Sequence, residues 1–247
     1  DPAIVARLVE LNREFYDTFA GQFSASRSRL NDGIVEVFRR FDPVDSMLDV
    51  GCGDGRLGFA WREGALGVPW REGHSAYLGI DNAHALLAAR GTGGDLPEGL
   101  VFQGFDVVRD ELSRLERRFD AVVSFSVLHH VPGQDARRAV VRSMRDVLEP
   151  AGRWAVSVWQ IRDHPRFSGR LRPWSEAGFD AADLGPNDLL VDWRQGGLGY
   201  RYVHHFEEDE IVDVFESNGL SVNSVWRSDG RSGDLGLYLV GGRRDAV

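Results

Sequence analysis

The sequence predicts an α/β fold built on a mostly parallel, doubly wound sheet, and three observations carry that expectation. Strand-like apolar runs alternate with helical segments through much of the chain. One of those runs, Leu48-Asp49-Val50, enters a loop, Gly51-Cys52-Gly53-Asp54-Gly55, in which glycine stands at every second position. The chain then finishes differently, with a helix and two strands joined by a polar turn, the pattern of an antiparallel hairpin.

The elements follow in order. Residues 3–20 and about 27–41 have the spacing of two amphipathic helices, with Ile4, Leu8, Leu11 and Phe15 on one face of the first. After the glycine loop, strands are expected at 76–81, 100–103 and 119–125, with helices at 83–90 and 108–117 between them. A helix over 134–148 is expected to stop at Glu149-Pro150-Ala151-Gly152, a turn signal before a strand at 154–159. Residues 160–205 break the rhythm with three prolines and two tryptophans and read as an insertion. A helix at 207–218 ends at Gly219, and strands at 220–227 and 235–240 flank the turn 228–234. The expected organisation is one domain over 1–247: N-terminal helices to residue 45, a core at 46–159, the insertion, and a closing helix and hairpin at 206–247.

With 247 residues and 43% hydrophobic content, the chain can bury a substantial core. No run approaches 18 apolar residues and the first segment is charged, so neither a membrane span nor a secretory signal is expected. Cys52 is the sole cysteine, which excludes an internal disulfide framework and a cysteine-rich zinc site. A cytoplasmic protein without a resident metal is the expectation, and nothing in the pattern specifies an oligomeric state. All 29 basic residues are arginine, and the net charge of -9 argues against broad, non-specific nucleic-acid binding while leaving room for a local basic patch.

The glycine loop carries the chemistry. Alternate glycines let the backbone pass flush against a ligand and turn sharply into a helix. The dinucleotide fingerprint would read Gly-x-Gly-x-x-Gly, and here the third glycine comes one residue early. Asp49, two residues before Gly51, suits a cationic ammonium and repels a pyrophosphate, so a sulfonium amino acid fits better than a dinucleotide. The bland alternative is a tight surface turn. Asp81 ends the next strand, where an acid can accept two hydrogen bonds from ribose hydroxyls, a role compatible with Asp81 or Asn82 also capping the following helix.

A parallel sheet closed by an antiparallel hairpin, with this loop, resembles the class I (Rossmann-like) S-adenosylmethionine-dependent methyltransferases. The resemblance implies a seven-stranded, mostly parallel sheet with helices on both faces, and S-adenosylmethionine as cofactor. It implies cofactor contacts from Asp49, Gly51, Cys52, Gly53, Gly55, Asp81 and Asn82. Asp106 would face the adenine amino group beside Val107, and Ser124 would lie near the methionine part. Asp106 could instead merely cap the next helix. His129 and His130 follow the fourth strand at the edge where acceptors approach. There His130 could act as a base or either ring could orient the acceptor, or both could simply pack.

A narrower resemblance comes from Phe15-Tyr16-Asp17, Phe23-Ser24-Ala25-Ser26-Arg27, the run Val127-Leu128-His129-His130-Val131 with Arg137-Arg138, Trp159, and Arg201-Tyr202-Val203-His204-His205-Phe206. These are similar to the eukaryotic tRNA wobble-uridine carboxymethyl methyltransferases, which esterify a carboxymethyl group in the anticodon. Val203 departs from the tyrosine usual there. On that resemblance Arg27 and Arg201 are candidates to hold cofactor or acceptor carboxylates, and Tyr16, His129, Trp159, Tyr202 and His204 to line the acceptor side. Core packing is the alternative for the aromatic residues. Arg162, Arg166, Arg170 and Arg172 with His164 form a basic stretch suited to phosphate or, equally, to pairing with Asp163, Glu176 and Asp180. The implied partners are tRNA and a small activator subunit. A small-molecule O- or N-methyltransferase is the rival enzyme, and a cofactor-binding module without turnover the non-catalytic one.

Overall fold

A computed structural model describes residues 1–26, 29–41, 43–88, 96–162 and 164–244. Helix α1 (Pro2–Thr18) starts where physics favours it: Asp1 caps it by accepting from the Ala3 N–H, and Pro2 occupies the first turn. The expected single helix over 3–20 bends at Phe19 into α2 (Ala20–Ala25), and α3 spans only Asp32–Arg39. Strand β1 (Ser46–Val50) leads through the glycine loop into α4 (Arg56–Arg62), followed by β2 (Ala76–Asp81), α5 (His84–Ala88), β3 (Leu100–Gly104), β4 (Phe119–Phe125), α6 (Gln134–Asp146) and β5 (Leu148–Trp159).

Two stretches differ from expectation for local reasons. The helix expected at 108–117 is a short 3-10 turn at Leu112–Leu115, ended by Glu116 in the left-handed region (φ 53°) as the chain swings into β4. Glu149-Pro150-Ala151-Gly152 is an excursion inside β5, since Phe119 pairs with Leu148 while Ala121 pairs with Arg153. The insertion holds a second sheet that the sequence did not announce, made of β6 (Leu171–Arg172), β7 (Asp188–Trp193) and β8 (Gly199–His204). The chain ends with α7 (Glu208–Glu216), β9 (Leu220–Ser228) and β10 (Gly236–Arg243).

The main sheet has seven strands in the order β3-β2-β1-β4-β5-β10-β9. The pairs from β3 to β5 are parallel, and β10 runs antiparallel to both β5 and β9. This is the class I methyltransferase arrangement. Alternate residues serve opposite layers: Leu48, Val50 and Val122 pack toward α6 and α7, while Met47, Ala121 and Val123 pack toward α3 and α4. Trp154 stacks on Phe215 with ring centres 4.1 Å apart. The order reverses between β1 and β4, and ligands of such sheets bind at that crevice, beyond the carboxyl ends of the strands. Helix α1 lies across β8 and the turn Leu128–His130, which roofs the crevice. Among the described residues no helix is long and apolar enough to cross a membrane.

Candidate active site

The crevice is a cleft of about 1250 Å³ counted to its open mouth, and the residues expected to bind cofactor meet there. Asp49, Gly51, Cys52, Gly53, Asp81, Asn82, Val107, Tyr16 and His130 all line it. Gly51, Gly53 and Gly55 all have positive φ, at 78°, 58° and 73°. A Cβ on Gly51 would strike Val127 at 2.2 Å and one on Gly55 would strike Phe102 at 2.3 Å, but one on Gly53 would project into open space. Gly53 is thus the point where the backbone is bare toward a ligand, while its neighbours are glycine for packing.

Two carboxylates face this loop. Asp49 is 3% exposed and accepts a hydrogen bond from the Tyr77 hydroxyl at 2.6 Å. Burial outweighs that bond and pushes its pKa up to about 7, leaving a carboxyl that a cation would ionise fully. Asp81 is also raised by burial, against backbone N–H donors from Ala83 and Gly53, the latter at 2.8 Å. Its remaining lone pairs stay available to hydroxyl groups. Burial raises the Cys52 thiol well above the ordinary range, which makes it an inert wall. Leu86, Phe105, Val107 and Val108 supply an apolar slot of the kind a purine needs.

At the other end, the His130 ring is held by two bonds. Its Nδ1–H donates to the Tyr202 carbonyl at 2.9 Å, which leaves Nε2 to accept from the Tyr16 hydroxyl at 2.8 Å. The Tyr16 oxygen also contacts the Arg201 guanidinium. Arg201 is 2% exposed and lies against the rings of Phe15, Trp159 and Trp193 at 4.7, 5.0 and 5.4 Å. Among the described residues no carboxylate pairs with it, its Nε has no hydrogen-bond partner, and burial lowers its pKa, with the nearby charges of Arg166 and Arg170 adding to that.

Other expected site residues, Gly55, Trp159 and Arg201 among them, stand back from the cleft wall. Asp106 accepts from the Val108 N–H at 3.0 Å and lies 3.7 Å from Arg109, so it closes a local turn. Ser124 donates to the Val50 carbonyl and ties β4 to β1. His129 is buried, accepts the Trp159 N–H at 3.3 Å and stacks beside that indole. Tyr202 and His204 belong to a buried network: the Tyr202 hydroxyl donates to Asp188 at 2.7 Å, and His204 donates to Asp188 and Glu210, both at 2.8 Å. Burial disfavours the His204 cation, but its two carboxylate partners outweigh burial and raise its pKa. Arg27 lies outside the described residues.

The expected basic stretch is largely spoken for. Arg172 forms two bonds to the buried Asp192, and Arg162 bonds the Pro186 carbonyl and lies 3.8 Å from Glu207. Asp163 lies outside the described residues. The cleft also uses residues the sequence did not single out as site residues: Asn12, Arg13, Asn31 and Ser126. Ser126 is non-glycine at φ 62° and accepts the Trp159 indole N–H at 3.1 Å. Among the described residues no cluster of His, Cys, Asp and Glu is arranged to hold a metal ion.

Residues 48–154 match the family model described as a methyltransferase domain. The chain carries a methyltransferase domain. Its sheet has the class I methyltransferase strand order, and the domain marks the chain as an enzyme. A putative methyltransferase from Encephalitozoon cuniculi is 29% identical over 213 residues, 84% of this chain and 86% of the relative. The tRNA (carboxymethyluridine(34)-5-O)-methyltransferase of Schizosaccharomyces pombe is 23% identical over 235 residues, 86% of this chain and 90% of its own length. Other relatives are longer: the chain spans 33% of the probable tRNA methyltransferase 9B of Bos taurus. Among solved structures, the complex of DhpI with SAM and HEP superposes with a TM-score of 0.66 at 20% identity, covering 95% of this chain and 97% of that one. A putative methyltransferase bound to the Trm112 activator of Haloferax volcanii gives 0.64 at 15% identity, covering 95% and 98%. These structures establish the shared fold of the methyltransferase domain.

Proposed function

We propose that the enzyme transfers the methyl group of S-adenosylmethionine to an ionised carboxylate, and that the acceptor is the carboxymethyl group of a tRNA wobble uridine. Arg201 carries this reading. A buried guanidinium costs several kcal/mol to desolvate unless an anion compensates it, and among the described residues Arg201 has aromatic rings and a phenol around it but no carboxylate. An acceptor carboxylate reaching the Tyr16 side of the cleft supplies the missing charge, and guanidinium binds carboxylate through paired hydrogen bonds. Such an acceptor is already ionised at neutral pH, so it needs alignment with the donor sulfonium rather than deprotonation.

In this reading Gly51, Cys52 and Gly53 run along the methionine part of the cofactor, Asp49 meets its ammonium, Asp81 takes the ribose hydroxyls, and Phe105, Val107 and Val108 hold the adenine. The cofactor supplies an electrophilic methyl group. Tyr16 and His130 border the acceptor, with the Nε2 lone pair taken up by the Tyr16 hydroxyl. The relatives that act on carboxymethyluridine support the acceptor class. The Haloferax complex supports a small activator subunit as partner, for which the open edge strand β3, with Val101 54% exposed, offers unpaired backbone groups.

One observation favours a second reading. The cleft is roofed by α1 and lined largely by apolar side chains, which suits a small-molecule acceptor bearing an O–H or N–H, with His130 Nε2 as base through the Tyr16 hydroxyl bonded to it. Radiolabelled S-adenosylmethionine offered total tRNA or a deproteinised metabolite extract separates the two. Label in tRNA released by mild alkali is the expected ester. Label confined to small metabolites would transfer the argument to the second reading.

A further inference from the structure

Asn12 sits on α1 one turn before Tyr16 and is 6% exposed. Its Nδ2 donates to the carbonyl oxygens of His130 at 3.1 Å and Tyr202 at 3.2 Å, and its Oδ1 accepts the Tyr202 N–H at 2.8 Å. Two acceptors face the amide nitrogen and one donor faces the oxygen, so only this orientation of the amide satisfies all three. One side chain therefore ties α1, the turn Leu128–His130 and β8 together. The Tyr202 carbonyl that Asn12 holds is the same one that accepts His130 Nδ1–H. Residues 12 and 16 are one helical turn apart and face the same side, so the anchor and the Tyr16 hydroxyl move as one body.

We propose that Asn12 is a positioning residue for methyl transfer, acting by fixing α1 so that the Tyr16 hydroxyl and His130 Nε2 hold one geometry at the acceptor edge. The proposal rests on placing the acceptor beside His130. Beside the Tyr16 bond and an Arg7 hydrogen bond to the Gly178 carbonyl at 2.8 Å, the contacts of α1 through Leu8, Val9 and Phe15 are apolar, and apolar contacts tolerate sliding that directional hydrogen bonds do not. A shift of about 1 Å along the helix would carry the 2.8 Å Tyr16–His130 bond outside hydrogen-bond range. A leucine would fill the space of Asn12 but leave the Tyr202 N–H without its side-chain partner.

The test is an NMR titration of the His130 ring in the full chain, its signal assigned with His130→Gln, for wild type, Tyr16→Phe, Asn12→Leu and the double variant. Among the described residues, the titratable groups around His130 include Tyr16 on α1, His129 beside it and Arg201 on β8 beyond Tyr16. Removing the Tyr16 donor withdraws a bond to the neutral ring, so the midpoint of His130 should rise by roughly half a unit to one unit. Asn12→Leu is expected to reproduce that rise, and the double variant to add nothing to it. A wild-type midpoint in Asn12→Leu, even with a lower melting temperature, overturns the proposal, and so does a rise that adds to that of Tyr16→Phe. Should Asn12→Leu not fold, Asn12→Ser takes its place under the same criteria. Calorimetry of wild type with S-adenosylhomocysteine runs alongside: failure to bind would remove the cofactor reading while the His130 comparison still stands or falls by itself.

Discussion

The two faces of β8 hold buried charge on opposite terms. Tyr202 and His204 point to one side of the strand, where His204 finds a carboxylate at each ring nitrogen and Arg137 bonds the Tyr202 hydroxyl at 3.3 Å. Arg201 points to the other side, where it meets three aromatic rings and a phenol. Both charges are almost wholly removed from water. The first set is complete within the protein and joins β7, β8, α6 and α7, so it is architecture. Among the described residues the second is one anion short, and a charge left in that state points to a ligand.

The strongest test removes the paired charge. His204→Leu leaves Asp188 without its cation and Glu210 with only Arg137 at 4.0 Å, and breaking such a buried pair should cost about 3–5 kcal/mol in chemical denaturation. A loss below about 1 kcal/mol would mean that His204 is not the centre of the network. Arg201→Met should do the reverse. With no ion pair to break among the described residues, stability should stay within about 1 kcal/mol of wild type, while methyl transfer falls by roughly 100-fold if the guanidinium holds the acceptor. A large stability loss with transfer intact would erase the distinction between the faces.

Asp49 extends the comparison to a buried anion awaiting a cation. Its pKa of about 7 lies above the ordinary 3.8, so the free protein prefers it protonated below neutrality, whereas an ammonium ligand needs it ionised. Affinity for S-adenosylhomocysteine should rise about tenfold between roughly pH 6 and pH 8 and level off beyond. Asn in place of Asp49 should bind more weakly and without that dependence; a flat wild-type profile would remove Asp49 from the ammonium site.

The smallest expected effect is the pH profile of the completed network. His204 is raised above 6.5, so its stabilisation is complete below that value and lost as pH climbs through the folded-state pKa. Asp188 and Glu210 are lowered below 3.8 and 4.5, against burial and by their bonds to His204, so their share is complete above those values and lost on acidification. The gap in unfolding free energy between wild type and His204→Leu should be widest between pH 4.5 and 6.5. A gap that keeps widening on either side would contradict the charged network.

Most of the glycine-loop end of the cleft was legible in the sequence because it is local. A strand, alternate glycines and an acid at each of two strand ends occupy short windows, and their geometry follows from backbone sterics. The acceptor half was legible only as a set of names. Tyr16, His130 and Arg201 were separate candidates, and their contact depends on α1 crossing a strand nearly two hundred positions away in the chain. Tyr202 and His204 share a motif with Arg201, yet strand alternation turns them away from the cleft into a network with α6 and α7. Asn12 gave no signal, since a single polar residue on an amphipathic helix reads as solvated surface until the helix is docked. The second sheet escaped notice because the prolines around it masked the short period of β7 and β8.

By itself, then, the sequence determined the class of fold, the order of the main-sheet elements and the glycine loop that marks the cofactor end, all of which depend on short-range sterics and hydrophobic period. Tertiary structure decided which charges are complete and which await a ligand. That distinction depends on how many partners converge on a buried group from distant segments, and it arises only when burial removes the water that would otherwise serve every polar group alike.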